Sequence, residues 1–202
     1  ALPISIAVHL RLQAQKTPQK SQASAPKSSY EIHPDPLEVG YTFEEFLPSS
    51  SNLIAYKCLR ESSLGTFNPL FIYGPKGSGK THLLMGAAHA LQKHKKVFFV
   101  KAETFTEHVV QAIRLGMMQT FRQIYREIEV LLVDDVHLLA KKNATQEEFF
   151  HTFNTLHTAG LQIILSAGVP PSQLKDIEPR LISRFEWGLC SAIEVPKNRK
   201  AI

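Results

Sequence analysis

Apolar positions along the chain fall into two kinds of run. PLFIY (69–73), VFFV (97–100), VLLVD (130–134), LQIILS (161–166) and LCSAIEV (189–195) are apolar almost throughout and rich in Val, Ile, Leu and Phe. A strand with one wet face alternates apolar with polar residues, so these continuous runs predict strands buried on both faces. Between them lie segments of helical character, over about 79–94, 103–127 and 145–158 and in a stretch ending near Phe185. YTFEEF, from residue 41, leads into SNLIAYKCLRESS, a predicted helix opened by a Ser/Asn cap. Strand and helix in alternation predict an α/β domain, with a parallel sheet joined by right-handed crossovers. No internal repeat is present.

Upstream the pattern is different. Residues 12–36, LQAQKTPQKSQASAPKSSYEIHPDP, are rich in Gln, Ser, Lys and Pro and offer almost no apolar anchors. A flexible linker is expected over 12–40, with residues 1–11 as the end of a preceding N-terminal domain, the last part of a strand. The missing initial Met and the ending PKNRKAI are those expected of a fragment of a longer chain. Net charge is +5, but Arg11, Lys16, Lys20 and Lys27 precede any acidic residue. With these four set aside the body is nearly neutral, so the pI of about 9.2 says little about nucleic-acid binding by the folded part. A basic tail adds weak, salt-sensitive affinity. Cys58 and Cys190 form no CxxC pair, which speaks against a disulfide framework and for a reducing, cytoplasmic compartment. No apolar run approaches the roughly 20 residues that span a bilayer. None of the nine His forms an HExxH motif, and His82, His89 and His94 are expected at surface or core positions.

Candidate chemistry begins where the first long strand ends. In LFIYGPKGSGKTHLL, Gly74, Gly79, Lys80 and Thr81 fit G-x-x-x-x-G-K-[ST], preceded by a strand and followed by a helix. Glycines let backbone amides wrap phosphates without Cβ clashes, and the helix N-terminus adds a favourable dipole. Lys80 is placed to reach β and γ oxygens, and the Thr81 hydroxyl to bind Mg²⁺. The second signal is VLLVDDVHLL, whose strand ends in Asp134 and Asp135. Asp134 is expected to hold Mg²⁺ through water and Asp135 to orient and deprotonate the attacking water, although an acid here can also simply cap a helix. A second acid recruits water, which favours hydrolysis over transfer to a substrate hydroxyl. Asp is one methylene shorter than Glu, and a misfit costing about 2.8 kcal/mol would slow turnover roughly 100-fold, as suits a switch. Ser166, at the tip of LQIILS, is a candidate contact for the γ-phosphate or the water, with a plain turn serine as the alternative. In EPRLISRFEWG, Arg180 and Arg184 lie four apart on one helix face. A solvated basic face is the plainer reading; a finger reaching a neighbour's γ-phosphate in trans is the functional one, and it requires oligomers with sites between subunits.

Together GPKGSGKTHLL, LLVDDVHLL, TQEEFFHTFNTL, LQIILS and RLISRFEWGL resemble the central AAA+ ATPase domain of the DnaA family of bacterial replication initiators, over about residues 41–202. That resemblance implies a P-loop NTPase of AAA+ type, with a five-stranded parallel sheet in the order 5-1-4-3-2. It implies ATP and Mg²⁺ as cofactors, slow hydrolysis as a reset, and an ATP-dependent homo-oligomer on single-stranded and origin DNA, with the replicative helicase and acidic phospholipids as further partners. By position, Gly77, Gly79, Lys80 and Thr81 would contact ATP, Asp134 and Asp135 would serve Mg²⁺ and hydrolysis, Arg184 would be the arginine finger, and Arg180 would assist at the subunit interface. Leu47, in FLPSSSN, would be the apolar contact for adenine, with Ser49 and Ser50 where the family usually has Gly-Lys. Val110 and Lys142 would contact single-stranded DNA, Ala144 stands where the family has an arginine, and Gly168 where it commonly has Asp. Two other readings stay open: an AAA+ regulator or helicase loader acting on an initiator, and an inactive ATPase scaffold, which Gly168 and Ala144 motivate.

Overall fold

Alternate residues of each central strand go to opposite sides of a single sheet. The structure, a computed structural model, describes residues 30–60 and 66–195. The strand expected within residues 1–11 and most of the expected linker lie outside the described residues. Five strands, β1 (Leu70–Tyr73), β2 (Val97–Lys101), β3 (Val130–Asp134), β4 (Gln162–Ala167) and β5 (Leu189–Ala192), pair in parallel in the order β2-β3-β4-β1-β5. This is the expected 5-1-4-3-2 arrangement. Six helices accompany them: α1 (Leu53–Arg60), α2 (Lys80–Leu91), α3 (Ala102–Leu115), α4 (Met118–Arg126), α5 (Asn143–Thr158) and α6 (Pro179–Phe185). Short 3-10 turns follow β3 at Val136–Leu139 and β4 at Pro171–Gln173.

The continuous apolar runs are explained by two cores, one on each side. Leu131 and Val133 of β3 and Ile163 and Leu165 of β4 join Phe105, Phe121, Tyr125, Phe149 and Phe185. Val130, Leu132 and Ile164 face the other way, onto Leu83, Leu84 and Met85 of α2 and Tyr56 of α1. Each such aliphatic side chain, fully withdrawn from water, stabilises by about 1.5–3 kcal/mol relative to exposure. The Asn52 carbonyl accepts the first helical bond of α1 from Tyr56, as a cap residue should. Its side chain turns back, however, and accepts from the Ser49 N–H at 2.7 Å.

The folded body starts earlier than residue 41. Tyr30 and Ile32 are buried in the α3/α4 core, and the Asp35 N–H donates to the Phe99 carbonyl of edge strand β2 at 2.8 Å. Tyr30 donates its hydroxyl to the His108 carbonyl in α3 at 2.7 Å, while burial pushes its own pKa up to about 12. The Asp35 carboxylate accepts from the Lys101 N–H at 2.6 Å and from the Thr104 hydroxyl at 3.0 Å. Helix α3 follows β2 without a loop and has no side-chain cap of its own, so Asp35 supplies the cap from outside. The part of the expected linker over residues 30–35 is therefore a strap on the sheet edge. Its two buried apolar residues are too few to stand out from a polar stretch. Asp35→Ala is expected to lower stability by about 1–2 kcal/mol, the usual cost of losing an N-cap acceptor, measured as a shift in the chemical denaturation midpoint.

Candidate nucleotide-binding site

The loop between β1 and α2 is shaped by close approaches. Gly74 continues the sheet by donating its N–H to the Ala167 carbonyl at 3.2 Å, and a Cβ on it would sit 1.9 Å from the Ile193 carbonyl oxygen. Gly79 has φ 99°, in the left-handed region, and a Cβ there would meet the Phe46 ring at 2.9 Å. Lys80, buried at the start of α2, donates its ammonium to the carbonyls of Gly74 (2.8 Å) and Pro75 (3.0 Å), which keeps the charge at the mouth of the loop. Ser78 Oγ is buried with no hydrogen-bond partner among the described residues. An orphaned hydroxyl inside a ring of amides and a lysine fits a phosphate oxygen. The motif leaves that position free, so the sequence carried no signal for it.

Opposite the loop stands the acid pair. Asp134 ends the fully buried strand β3 and is 2% exposed. The Thr81 hydroxyl donates to its Oδ2 at 2.6 Å, and the Ser166 hydroxyl makes a very short bond to its Oδ1. No Lys, Arg or His pairs with Asp134 among the described residues, and a buried carboxylate beside a hydroxyl and a phosphate loop has the donor set of a Mg²⁺ site. Ser166 is fully buried and also accepts from the Asp135 N–H at 2.9 Å. The hydroxyl thus braces the acid pair, bonding both Asp134 and the backbone of Asp135. Asp135 adopts φ 57°, an unusual backbone that aims its side chain into the cleft. Burial, and next the charge of Asp134, raise its pKa, while His137 and Lys80 partly offset the rise. His137 Nδ1 lies 3.9 Å from Asp135 Oδ1 and has no hydrogen-bond partner among the described residues.

Two clefts meet at the loop. One, of ≈ 650 Å³, is lined by Lys76, Gly77, Lys80, Thr81, Asp135 and Gly168, among others. Around Gly168 the space is open, so no carboxylate stands where the resemblance puts one. The other, of ≈ 620 Å³, is lined by Phe46, Leu47, Ser49, Ser50, Glu194 and Val195 together with further residues of the 45–52 segment. Leu47 is 83% exposed at its wall. Gly77, Gly79 and His82 line both clefts. His82 is neither a plain surface nor a plain core residue: its ring stacks on Tyr41 at 4.9 Å, meets Phe46 edge-on and contacts the Thr42 carbonyl through Nε2 at 2.7 Å. No local pattern links residues so far apart in the chain.

The remaining candidates lie elsewhere. Neither Arg180 nor Arg184 lines either cleft. Arg180 pairs with Glu147 and Glu178 and lies over the Phe150 ring. These two carboxylates tie α6 and its cap residue Glu178 to α5 through Arg180. Arg184 donates Nε–H to Asn154 Oδ1 at 2.9 Å and carries no carboxylate partner among the described residues. Val110 is half-buried on α3. Lys142 Nζ is 3.5 Å from the Thr106 hydroxyl, one helical turn before Val110, so the two share one side of the domain. Ile113, which the sequence did not single out, adds exposed apolar surface three residues further on, and Ala144 is exposed nearby.

Fold and site together define a P-loop NTPase of the AAA+ type. The family described as Bacterial DnaA ATPAse domain matches residues 37–192, and the chain belongs to it. Among curated relatives, chromosomal replication initiator protein DnaA 2 of Protochlamydia amoebophila is 50% identical over 200 residues, 91% of this chain and 44% of that protein. A solved replication initiator DnaA bound to AMPPCP and single-stranded DNA matches with TM-score 0.77 and 40% identity, over 80% of this chain and 52% of that one. Domain III of the Thermotoga maritima DnaA matches with TM-score 0.74 and 37% identity, over 79% and 69%. The chain spans about half the length of the initiators it matches or less.

The raised pKa of Asp135 sets a pH dependence in metal-free, nucleotide-free buffer. Below the ordinary aspartate value of 3.8 the folded and unfolded forms are both protonated and the site carries no penalty. As pH rises through the raised folded value, ionisation in the cleft costs stability. Asp135→Asn, which tolerates the same backbone, is therefore expected to raise Tm at pH 7, with the gain shrinking towards zero as pH falls below that ordinary value. A Tm lower than wild type at pH 7 would contradict this.

Proposed function

We propose that this chain is the nucleotide switch of a bacterial replication initiator. It binds ATP with Mg²⁺, hydrolyses it slowly, and in the ATP state associates with further copies on single-stranded and origin DNA in the cytoplasm. The observation that carries the reading is the convergence of Lys80, Thr81 and Asp135 on one cleft, with Asp134 bonded to Thr81 behind it, next to a second, part-apolar cavity that shares Gly77, Gly79 and His82. A triphosphate fits the first and a base the second, with Phe46, Leu47 and His82 as surfaces beside the base. Lys80 would exchange the loop carbonyls for β and γ oxygens, a stronger charge-assisted pairing. Thr81 and Asp134 would hold Mg²⁺, which neutralises charge on those oxygens. Asp135 would take the proton of the attacking water, and its raised pKa favours that transfer near neutral pH.

Assembly and DNA follow from what lies outside the cleft. Arg184 has no carboxylate partner among the described residues and lines neither cleft, which supports a role at a neighbour's γ-phosphate. The solved initiator that carries AMPPCP with single-stranded DNA supports DNA binding in the nucleotide-bound state. Val110, Ile113 and Lys142 then offer apolar contact and a single cation to a strand, and Ala144 leaves one phosphate contact fewer than the family pattern.

Sedimentation with a single-stranded oligonucleotide in ATP and in ADP tests the switch: larger assemblies are expected only with ATP, and equal assembly in both would refute it. Lys80→Ala is expected to weaken ATP binding by about 100-fold, and Asp135→Ala to remove turnover while changing ATP affinity by no more than about 3-fold, read by calorimetry and phosphate release.

A further inference from the structure

Arg180 and Arg184 occupy one helix face but live in different electrostatic surroundings. Arg180 is bonded to two carboxylates. Arg184 is held by rings: its guanidinium carbon lies 4.1 Å from the centroid of Trp187 and 5.1 Å from that of Phe150, with Asn154 accepting from Nε–H. An aromatic face attracts a cation through its quadrupole and adds order without bringing an opposite charge. A carboxylate would order it equally well but would cancel the charge that a phosphate needs.

The clamp is itself braced. Phe150 and Asn154 are one turn apart on α5, so they present side by side to α6. Trp187 follows the end of α6, where its N–H donates to the Arg184 carbonyl at 3.2 Å. Its ring rests against His157 at 5.0 Å, and His157 is tied through Nε2 to the Asn68 carbonyl at 3.1 Å. Even so, Trp187 is 50% exposed, on the same outer surface as the arginine. A large aromatic left half in solvent beside an unneutralised guanidinium is a surface suited to a polyanionic partner edge.

We infer that Trp187 and Phe150, with Asn154, are positioning residues that present Arg184 in an ordered, uncompensated state to the γ-phosphate of a second copy of this chain. This rests on the reading under Proposed function that ATP draws copies together through that phosphate. The rotamer freedom of a long side chain is lost when the chain folds, and so no longer opposes association. Arg180 acts one step back, fixing α6 to α5 so that the clamp keeps its shape.

The test uses wild type, Trp187→Ala and Trp187→Phe in the full chain, with sedimentation in ATP and ADP and fluorescent-ATP binding to the dilute protein. Trp187→Ala is expected to bind ATP as wild type does but to need roughly ten-fold higher concentration for ATP-dependent association. Trp187→Phe, which keeps a ring face, is expected to stay within about three-fold of wild type. Trp187 is the single tryptophan, so wild-type emission should change with ATP-driven assembly and not with ADP. Wild-type association of Trp187→Ala, or an equal loss in both variants, would overturn the clamp. If Trp187→Ala does not fold by circular dichroism, Phe150→Leu takes its place with a loss of the same order expected, and wild-type association of that variant would overturn it too. Equal assembly of wild type in ATP and ADP would instead overturn the switch on which the clamp depends.

Discussion

A buried carboxylate at the tip of β3 organises this molecule. Asp134 sits at the end of β3 with almost no solvent, and its two oxygens are held by hydroxyls from different directions, Thr81 at the start of α2 and Ser166 at the end of β4. An isolated carboxylate in such a place would be too costly to keep ionised, so the site must provide hydrogen bonds and invite a cation. The neighbouring features then have reasons. Ser166 spans from Asp134 to the Asp135 backbone, which fixes the left-handed turn of Asp135. The negative charge of Asp134 also helps to raise the pKa of Asp135, the group placed to take a proton.

Positive charge is distributed by the same logic of partners. Lys80 is parked on loop carbonyls, dipoles that a phosphate can displace. Arg180 is parked on two partly exposed carboxylates, Glu147 and Glu178. Arg184 lies between rings and an amide, with no carboxylate partner among the described residues. Three cations that look alike as letters differ in availability because of the chemistry facing them. The strap adds a mechanical link: Asp35 bonds β2 through its N–H and caps α3 through its carboxylate, and Tyr30 contacts α3 again. The face bearing Val110 is therefore mounted partly on chain that precedes the P-loop domain proper.

The strands and their order of appearance were readable because burial on both faces writes itself as an unbroken apolar run. The phosphate loop was readable because its glycines, lysine and threonine act within eight consecutive residues, so that spacing alone states the geometry. Lys80, Thr81 and Asp135 line one cleft, and Asp134 lies buried behind Thr81, to which it is hydrogen-bonded. The bonds of Ser166 to the acid pair were not readable, because a strand-end serine looks the same whether it faces a ligand or an internal carboxylate. Nor could spacing separate Arg180 from Arg184, since their partners, Glu147 and Asn154, lie about thirty positions upstream. The second cleft, drawing on Phe46, His82 and Glu194, and the strap's grip on α3 are long-range pairings of the same kind. Short-range chemistry is encoded where it is written, whereas the availability of a charge or a hydroxyl depends on which distant groups the fold brings to within about 3 Å of it.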